Sequence, residues 1–269
     1  MEISVNLTGL IFICRISYKQ IKFMEPKFSI PTEQVDLPSK GRLYPADHAL
    51  SSGTIEMKYM TAKEEDILTN QNYIAKGVVI DKLLKSLIVT DFPYNELLIG
   101  DKNAIMVAAR ILSYGKDYDV TIEGKDVTID LTELKDKDIN LDDYKPGENE
   151  FTFSLPKSGN QVTFKLLTHG DDTIIEREVT GLKKINKESS ATMSTRLKYM
   201  ITSVNGEREQ GTIRQFVDQG LLAQDARALR NEYTRLQPDV DFKFYNIDED
   251  GRGEEVDVPI GINFFWPDA

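Results

Sequence analysis

The sequence predicts an α+β fold, and three observations carry that expectation. Apolar residues recur at helical spacing through Ile80, Leu83, Leu84, Leu87 and Ile88. The period falls to two from Tyr118 onward, as strands require. Helical spacing then returns between Asp171 and Leu236, before alternation closes the chain at Phe242–Ile260. The predicted order is an N-terminal extended arm, a helical subdomain, β-hairpins in the middle, a second helical segment and a C-terminal β-hairpin.

Residues 1–23 read as an extension outside the native fold. The apolar run Leu7–Ile16 is far below the roughly 20 residues of a membrane helix, and Arg15 interrupts it. A signal peptide carries its positive charge before the apolar run, whereas Arg15, Lys19 and Lys22 follow it. The expectation is therefore a native start at Met24, in the stretch MEPKFSIP.

Residues 24–60 form the predicted arm and first strand. Pro26, Pro31, Pro38 and Pro45 each fix φ and push the preceding residue towards extended geometry. Thr54–Met60 alternates as a strand. Residues 61–115 form the helical subdomain. Thr61-x-x-Glu64 is a capping box, in which side chains satisfy amides left free at a helix start. A second helix follows Gly77 and stops at Pro93. A third runs from Lys102 to Tyr114, capped by Asp101 and ended by Gly115.

Residues 116–269 form a mixed α+β region. Tyr118–Glu123 and Val127–Leu131 flank Gly124 as a hairpin. Phe151–Leu155 and Val162–Leu167 form another, turning through PKSGN. Helices are expected from Asp171 or Asp172, over Ser190–Val204, over Ile213–Asp218 and over Leu221–Leu236. Phe242–Ile247 and Val256–Ile260 are the last strands, and the chain ends in FFWPDA.

Charge and composition limit the function. The net charge of −11 repels a phosphate backbone, and no strong basic patch offsets it, so no nucleic-acid partner is expected. Lys183, Lys184 and Lys187 are interspersed with Glu176, Glu178 and Glu188, the pattern of a solvated helix face. The single cysteine, Cys14, allows no internal disulfide and suits a reducing compartment. No membrane partner is expected either.

The residues of chemistry do not assemble into a site. His48 and His169 read as surface histidines without a nucleophile motif beside them. No phosphate-binding glycine loop occurs. Asp248-Glu249-Asp250-Gly251 begins like a calcium loop, but Arg252 stands at its fifth position and Pro259 at its twelfth, where a glutamate is needed. The acid groups Glu64-Glu65-Asp66, Asp142-Asp143, Asp171-Asp172 and Glu254-Glu255 follow from a chain holding 44 acids, and two of the four sit at helix starts, where negative charge is favourable. The expectation is a protein without enzymatic activity, cofactor or metal.

Two segments remain as candidate contacts for a partner. Phe264, Phe265 and Trp266 form an aromatic cluster around the only tryptophan, and such clusters are enriched at interface hot spots. Packing on the chain's own sheet is the competing reading. Leu43 and Tyr44 in the proline-rich arm carry the same ambiguity between wrapping their own domain and reaching a neighbour.

Three stretches together resemble the baseplate hub protein family of T-even-type contractile-tail bacteriophages. They are VDLPSKGRLYP with LSSGTIEMKYMTAKEEDIL, GVVIDKLLKSLIV with LLIGDKNAIMVAARILSYG, and the ending VPIGINFFWPDA. The resemblance covers residues 24–269, and the order and spacing of the pieces give it specificity. Residues 1–23 have no counterpart in it. It implies a role at the baseplate hub, as a hub subunit or as an assembly factor, in contact with other hub or tail proteins. It implies a location in the host cytoplasm during assembly or in the virion tail. No active-site residues accompany it. A permanent hub subunit and a chaperone of the tape-measure protein are the alternative readings.

Overall fold

The computed structural model describes residues 29–122, 124–185, 191–247, 253–260 and 264–266. The expectations for residues 1–23, for a start at Met24 and for the acidic turn at 248–252 lie outside the described residues. From Pro31 onward the chain forms one compact unit. Its helices and small antiparallel sheets make the expected α+β fold.

The arm is a β-hairpin with an elaborate turn. β1 (Thr32–Asp36) pairs antiparallel with β2 (Thr54–Lys58), from Thr32 opposite Lys58 to Asp36 opposite Thr54. Between them the chain folds back on itself through Leu37, Leu43, Tyr44 and Leu50, all buried. Gly41 makes this possible. Its φ is +73°, and a Cβ there would stand 2.3 Å from the Ser51 carbonyl oxygen.

Next come α1 (Ala62–Leu68), α2 (Gln71–Ala75) and α3 (Val79–Leu87). The predicted stripe on α3 is the buried one: Leu83, Leu84 and Leu87 are at most 1% exposed. The helix α4 spans Ile99–Tyr114 and starts three residues before the predicted Lys102. Leu98, not Asp101, occupies its N-cap position. Asp101 lies inside the first turn and points to the core, because the arm supplies hydrogen-bond donors there that a capping role would forgo.

β3 (Asp117–Ile122) and β4 (Lys125–Asp130) form the predicted hairpin. A 3-10 turn at Leu131–Glu133 leads to the two-residue strand β5 (Lys135–Asp136). β6 (Phe151–Ser154) and β7 (Gln161–Phe164) form the second hairpin, extended by a third strand, β8 (Ile201–Val204). That strand corrects the helix expected over Ser190–Val204. The helix α6 covers Thr192–Met200, and the chain then turns extended to pair with β7. Residues at spacing three, Ile201 and Val204, fit either pattern; the free edge of β7 decides.

The helix α5 (His169–Ile185) begins before the predicted aspartates. Thr168 and Asp171 form its reciprocal cap: the Thr168 amide donates to Asp171 Oδ2 at 3.0 Å and the Asp171 amide to Thr168 Oγ1 at 3.3 Å. α7 (Gln210–Gln215) runs into a π-turn at Phe216–Gly220, and α8 covers Ala223–Leu236. β9 (Val240–Asp241) pairs with β5. β10 (Lys243–Ile247) then pairs with β11 (Gly253–Asp257), so a terminal hairpin forms as expected, but its second strand lies three residues before the predicted Val256–Ile260. The change of pattern near Gly115 falls within one continuous core, which includes Leu84 and Ile105 as well as Phe164 and Leu229.

Candidate functional site

The two segments singled out in the sequence sit differently in the fold. Leu43 and Tyr44 are part of the arm anchor. Asp101 has no exposed surface, and it accepts from the Ser39 amide at 3.0 Å, the Ser39 hydroxyl at 2.7 Å and the Tyr44 hydroxyl at 2.7 Å. The Tyr44 oxygen in turn accepts the Leu98 amide at 3.0 Å, satisfying a donor at the α4 N-terminus. Burial pushes the Asp101 pKa up, and the donors from Ser39 and Tyr44 oppose that shift. Burial, followed by the charge of Asp101, pushes the Tyr44 phenol up. The anchor is a polar knot that closes the arm onto α4.

An aromatic row extends from it. The Tyr44 ring stacks on His48 with centroids 4.9 Å apart, and Phe92 meets His48 edge-on at 6.1 Å. Tyr94 follows Phe92 and makes an edge contact with His169 at 4.7 Å. Both histidines were expected on the surface. Instead His169 is 7% exposed, and the His48 side chain is largely covered, because each ring is used as an aromatic packing element.

His169 also joins an ionic cluster. Lys102 Nζ lies 2.6 Å from Asp81 and 3.2 Å from His169 Nδ1. That contact needs a neutral imidazole accepting at Nδ1, with its proton on Nε2, which faces Asp81 at 3.7 Å. Burial, and then the Lys102 charge, hold the His169 pKa below its ordinary value. The cluster ties α3, α4 and α5 together.

At the other end of the chain, Phe264 and Phe265 are 1% and 2% exposed. Phe264 meets Tyr118 edge-on at 5.2 Å and Phe265 at 5.1 Å. The Tyr118 hydroxyl donates to the Pro259 carbonyl at 2.8 Å, holding the approach to this end. Trp266 packs against the same core and keeps part of its surface exposed. Contact of a partner with Leu43, Tyr44, Phe264 or Phe265 requires their own packing to open. Trp266 is the one of the five that presents surface in the folded chain. Beside the anchor lies a depression of about 520 Å³ lined by Lys40, Arg42, Tyr44 and Pro146.

Sequence reasoning missed two carboxylates that organise the fold. Spacing marks Asp101 only as a cap. It marks Glu64 only as half of a capping box, yet Glu64 is fully buried and also accepts from Lys58 at 2.9 Å and Ser86 at 2.8 Å. Glu64 lies between Lys63 and Glu65, and Asp101 between Gly100 and Lys102, so no local apolar pattern marks either, and spacing does not show which long-range donors arrive. Among the described residues no group of three or more His, Cys, Asp or Glu is placed to hold a metal ion. No helix among them is long and apolar enough to cross a membrane.

Comparison with known proteins gives one match. The family described as T4 bacteriophage base plate protein matches residues 31–220, from the first strand of the arm to the π-turn before α8. No curated protein and no solved structure matches the chain. The match covers most of the chain, so the protein belongs to the T4 bacteriophage base plate protein family, with a structural or assembly role at the phage baseplate among other baseplate proteins.

Proposed function

We propose that the protein takes part in assembling the baseplate hub of a contractile tail, and that it works by protein–protein contact without catalysis. The single observation that carries this is family membership over residues 31–220. The resemblance of the arm, the helical subdomain and the C-terminal end to hub proteins supports the hub as the site of that role. The packing of the two histidines supports the non-catalytic part. His169 is engaged with Lys102 and Asp81, and His48 is stacked on Tyr44, so both rings serve packing.

In this proposal the protein acts in the host cytoplasm while the tail is built. The alternative is a permanent hub subunit. Quantitative mass spectrometry of purified particles beside infected-cell lysate separates them. Abundance in lysate with absence from particles is the expected result; stoichiometric presence in particles overturns the assembly-factor reading.

Trp266 is the proposed partner contact, with Phe264 and Phe265 holding it in place from the core and Leu43 and Tyr44 fixing the arm. Trp266→Ala is expected to weaken binding to hub proteins at least tenfold while moving the melting temperature by only a few degrees. A collapse in stability with unchanged binding of the folded fraction assigns Trp266 to the core alone.

A further inference from the structure

Two of the small sheets have an edge that pairs with no further strand among the described residues, and both edges line one groove. In an antiparallel pair, residues alternate between those bonded across the ladder and those whose N–H and C=O point outward. The Leu131 amide donates to the Lys116 carbonyl at 2.9 Å, which sets the phase of the β3–β4 ladder. By that phase Asp126, Thr128 and Asp130 turn their backbone groups away from β3. The Val258 amide donates to the Phe242 carbonyl at 2.7 Å and sets the phase of β10–β11. Lys243 and Tyr245 then turn theirs away from β11.

The edge of β10 that is left free is the one β5 begins to cover. Lys137 donates to the Asp239 carbonyl at 2.8 Å, so Asp241 is bonded to β5 across the ladder, and Lys243 and Tyr245 follow on the same edge. Past that point the 3-10 turn at Leu131–Glu133 carries the chain away, and β4 departs from β10. The result is a wedge closed at one end by β5 and β9. A groove of about 740 Å³ occupies it, lined by residues 127–130 on one side and 243–245 on the other. The lining residues follow one another along β4 and along β10, so the groove runs beside both strand edges, and it also reaches Glu255 on β11 across the face of that hairpin.

We propose that this wedge receives one extended segment of another baseplate protein, which adds as a strand between β4 and β10. Strand addition satisfies free edge groups and joins the two hairpins into a continuous sheet. The charge of the walls selects the segment. The lining holds four carboxylates against two lysines; Asp130 is paired with Lys116 and Glu255 with Lys243, so Glu133 and Asp241, beside Lys135, carry the excess negative charge. The matching segment alternates apolar and basic residues. Tyr245, 67% exposed, offers it an aromatic platform at the rim. This deepens the reading of a protein that works through protein contacts, and it stands or falls separately from the hub location, since the test reads the groove alone.

The test uses the full chain and a nine-residue peptide of alternating lysine and valine, at up to 1 mM. Amide hydrogen exchange and backbone NMR shifts are followed residue by residue. The expected result is exchange slowed at least tenfold at Thr128, Lys243 and Tyr245. N-methylation of alternate peptide amides is expected to weaken binding at least tenfold, and a glutamate–valine peptide to bind more weakly at low salt. Thr128→Pro removes one outward amide at a position where an edge strand tolerates proline, and with it the exposed hydroxyl bond to Asp119, so it is expected to lose peptide binding while the melting temperature falls by only a few degrees. Absence of protection at 1 mM, protection confined to other strands, or equal binding of the N-methylated peptide overturns the proposal. Protection that grows with protein concentration without peptide also overturns it, by assigning the wedge to a second copy of the chain.

Discussion

Glu64 shows how one side chain holds three elements. It accepts from the amide and hydroxyl of Thr61 at the start of α1, from Lys58 at the end of β2, and from Ser86 on α3. Burial alone raises its pKa, but the four donors outweigh burial and hold it at about 2. The folded value lies below the unfolded one of 4.5, so its contribution is complete above pH 4.5 and is lost as pH falls towards about 2. Glu64→Gln leaves donors facing an amide nitrogen and is expected to cost on the order of 2 kcal/mol at pH 7. Urea unfolding at pH 7 and pH 3 checks this, with the wild-type advantage shrinking at the lower pH. An advantage independent of pH assigns the loss to packing instead. Asp101 differs in kind. Burial raises its pKa, so its buried charge opposes folding more as pH rises, and its three donors offset that cost.

At the scale of the element, the position of α4 depends on a side chain that is absent. A Cβ on Gly100 would stand 1.7 Å from the carbonyl oxygen of Pro238, in the backbone that follows α8. Alanine is a better helix former by about 1 kcal/mol, and in an isolated α4 it would help. Here the overlap with backbone wins, because the chain from Pro238 is held by the Asn103 amide on Asp239 at 2.8 Å and by the β5–β9 pairing. Gly100→Ala is expected to destabilise by about 3 kcal/mol, lowering the melting temperature by at least 6 °C in a thermal scan. An unchanged melting temperature shows that the crossing of α4 with the segment after α8 can open without cost.

From Pro31 onward the described residues share one continuous core, although the sequence changes character near Gly115. Gly147 donates to Arg42 at 2.8 Å, tying the connector to the arm, and Tyr144 donates to Leu236 at 2.6 Å, tying it to α8. Trp266 is the only tryptophan and sits at the C-terminal end of that core, while the helical signal comes from elements spread along the chain. Tryptophan fluorescence and far-ultraviolet circular dichroism are therefore expected to report one coincident urea transition. Two separated midpoints show that the helical subdomain and the mixed region unfold independently.

The element types were legible where local physics decides them. The α3 stripe, the Gly124 and PKSGN turns and the Thr61–Glu64 start all follow from spacing, glycine conformation and capping chemistry within a few residues. Composition and the absence of catalytic motifs set the expectation of a binding protein, and the resemblance to baseplate proteins directed it to the phage tail. Tertiary structure decided the rest. It made Ile201–Val204 a strand by offering the edge of β7, turned Asp101 inward to meet the arm, buried His169 and packed the partly covered His48 against aromatic rings. It also covered Leu43, Tyr44, Phe264 and Phe265 and left part of Trp266 exposed. Spacing along a chain records which face of an element is apolar. Which distant donor, ring or strand edge meets that face is set by packing between segments tens of residues apart, and no local period carries that information.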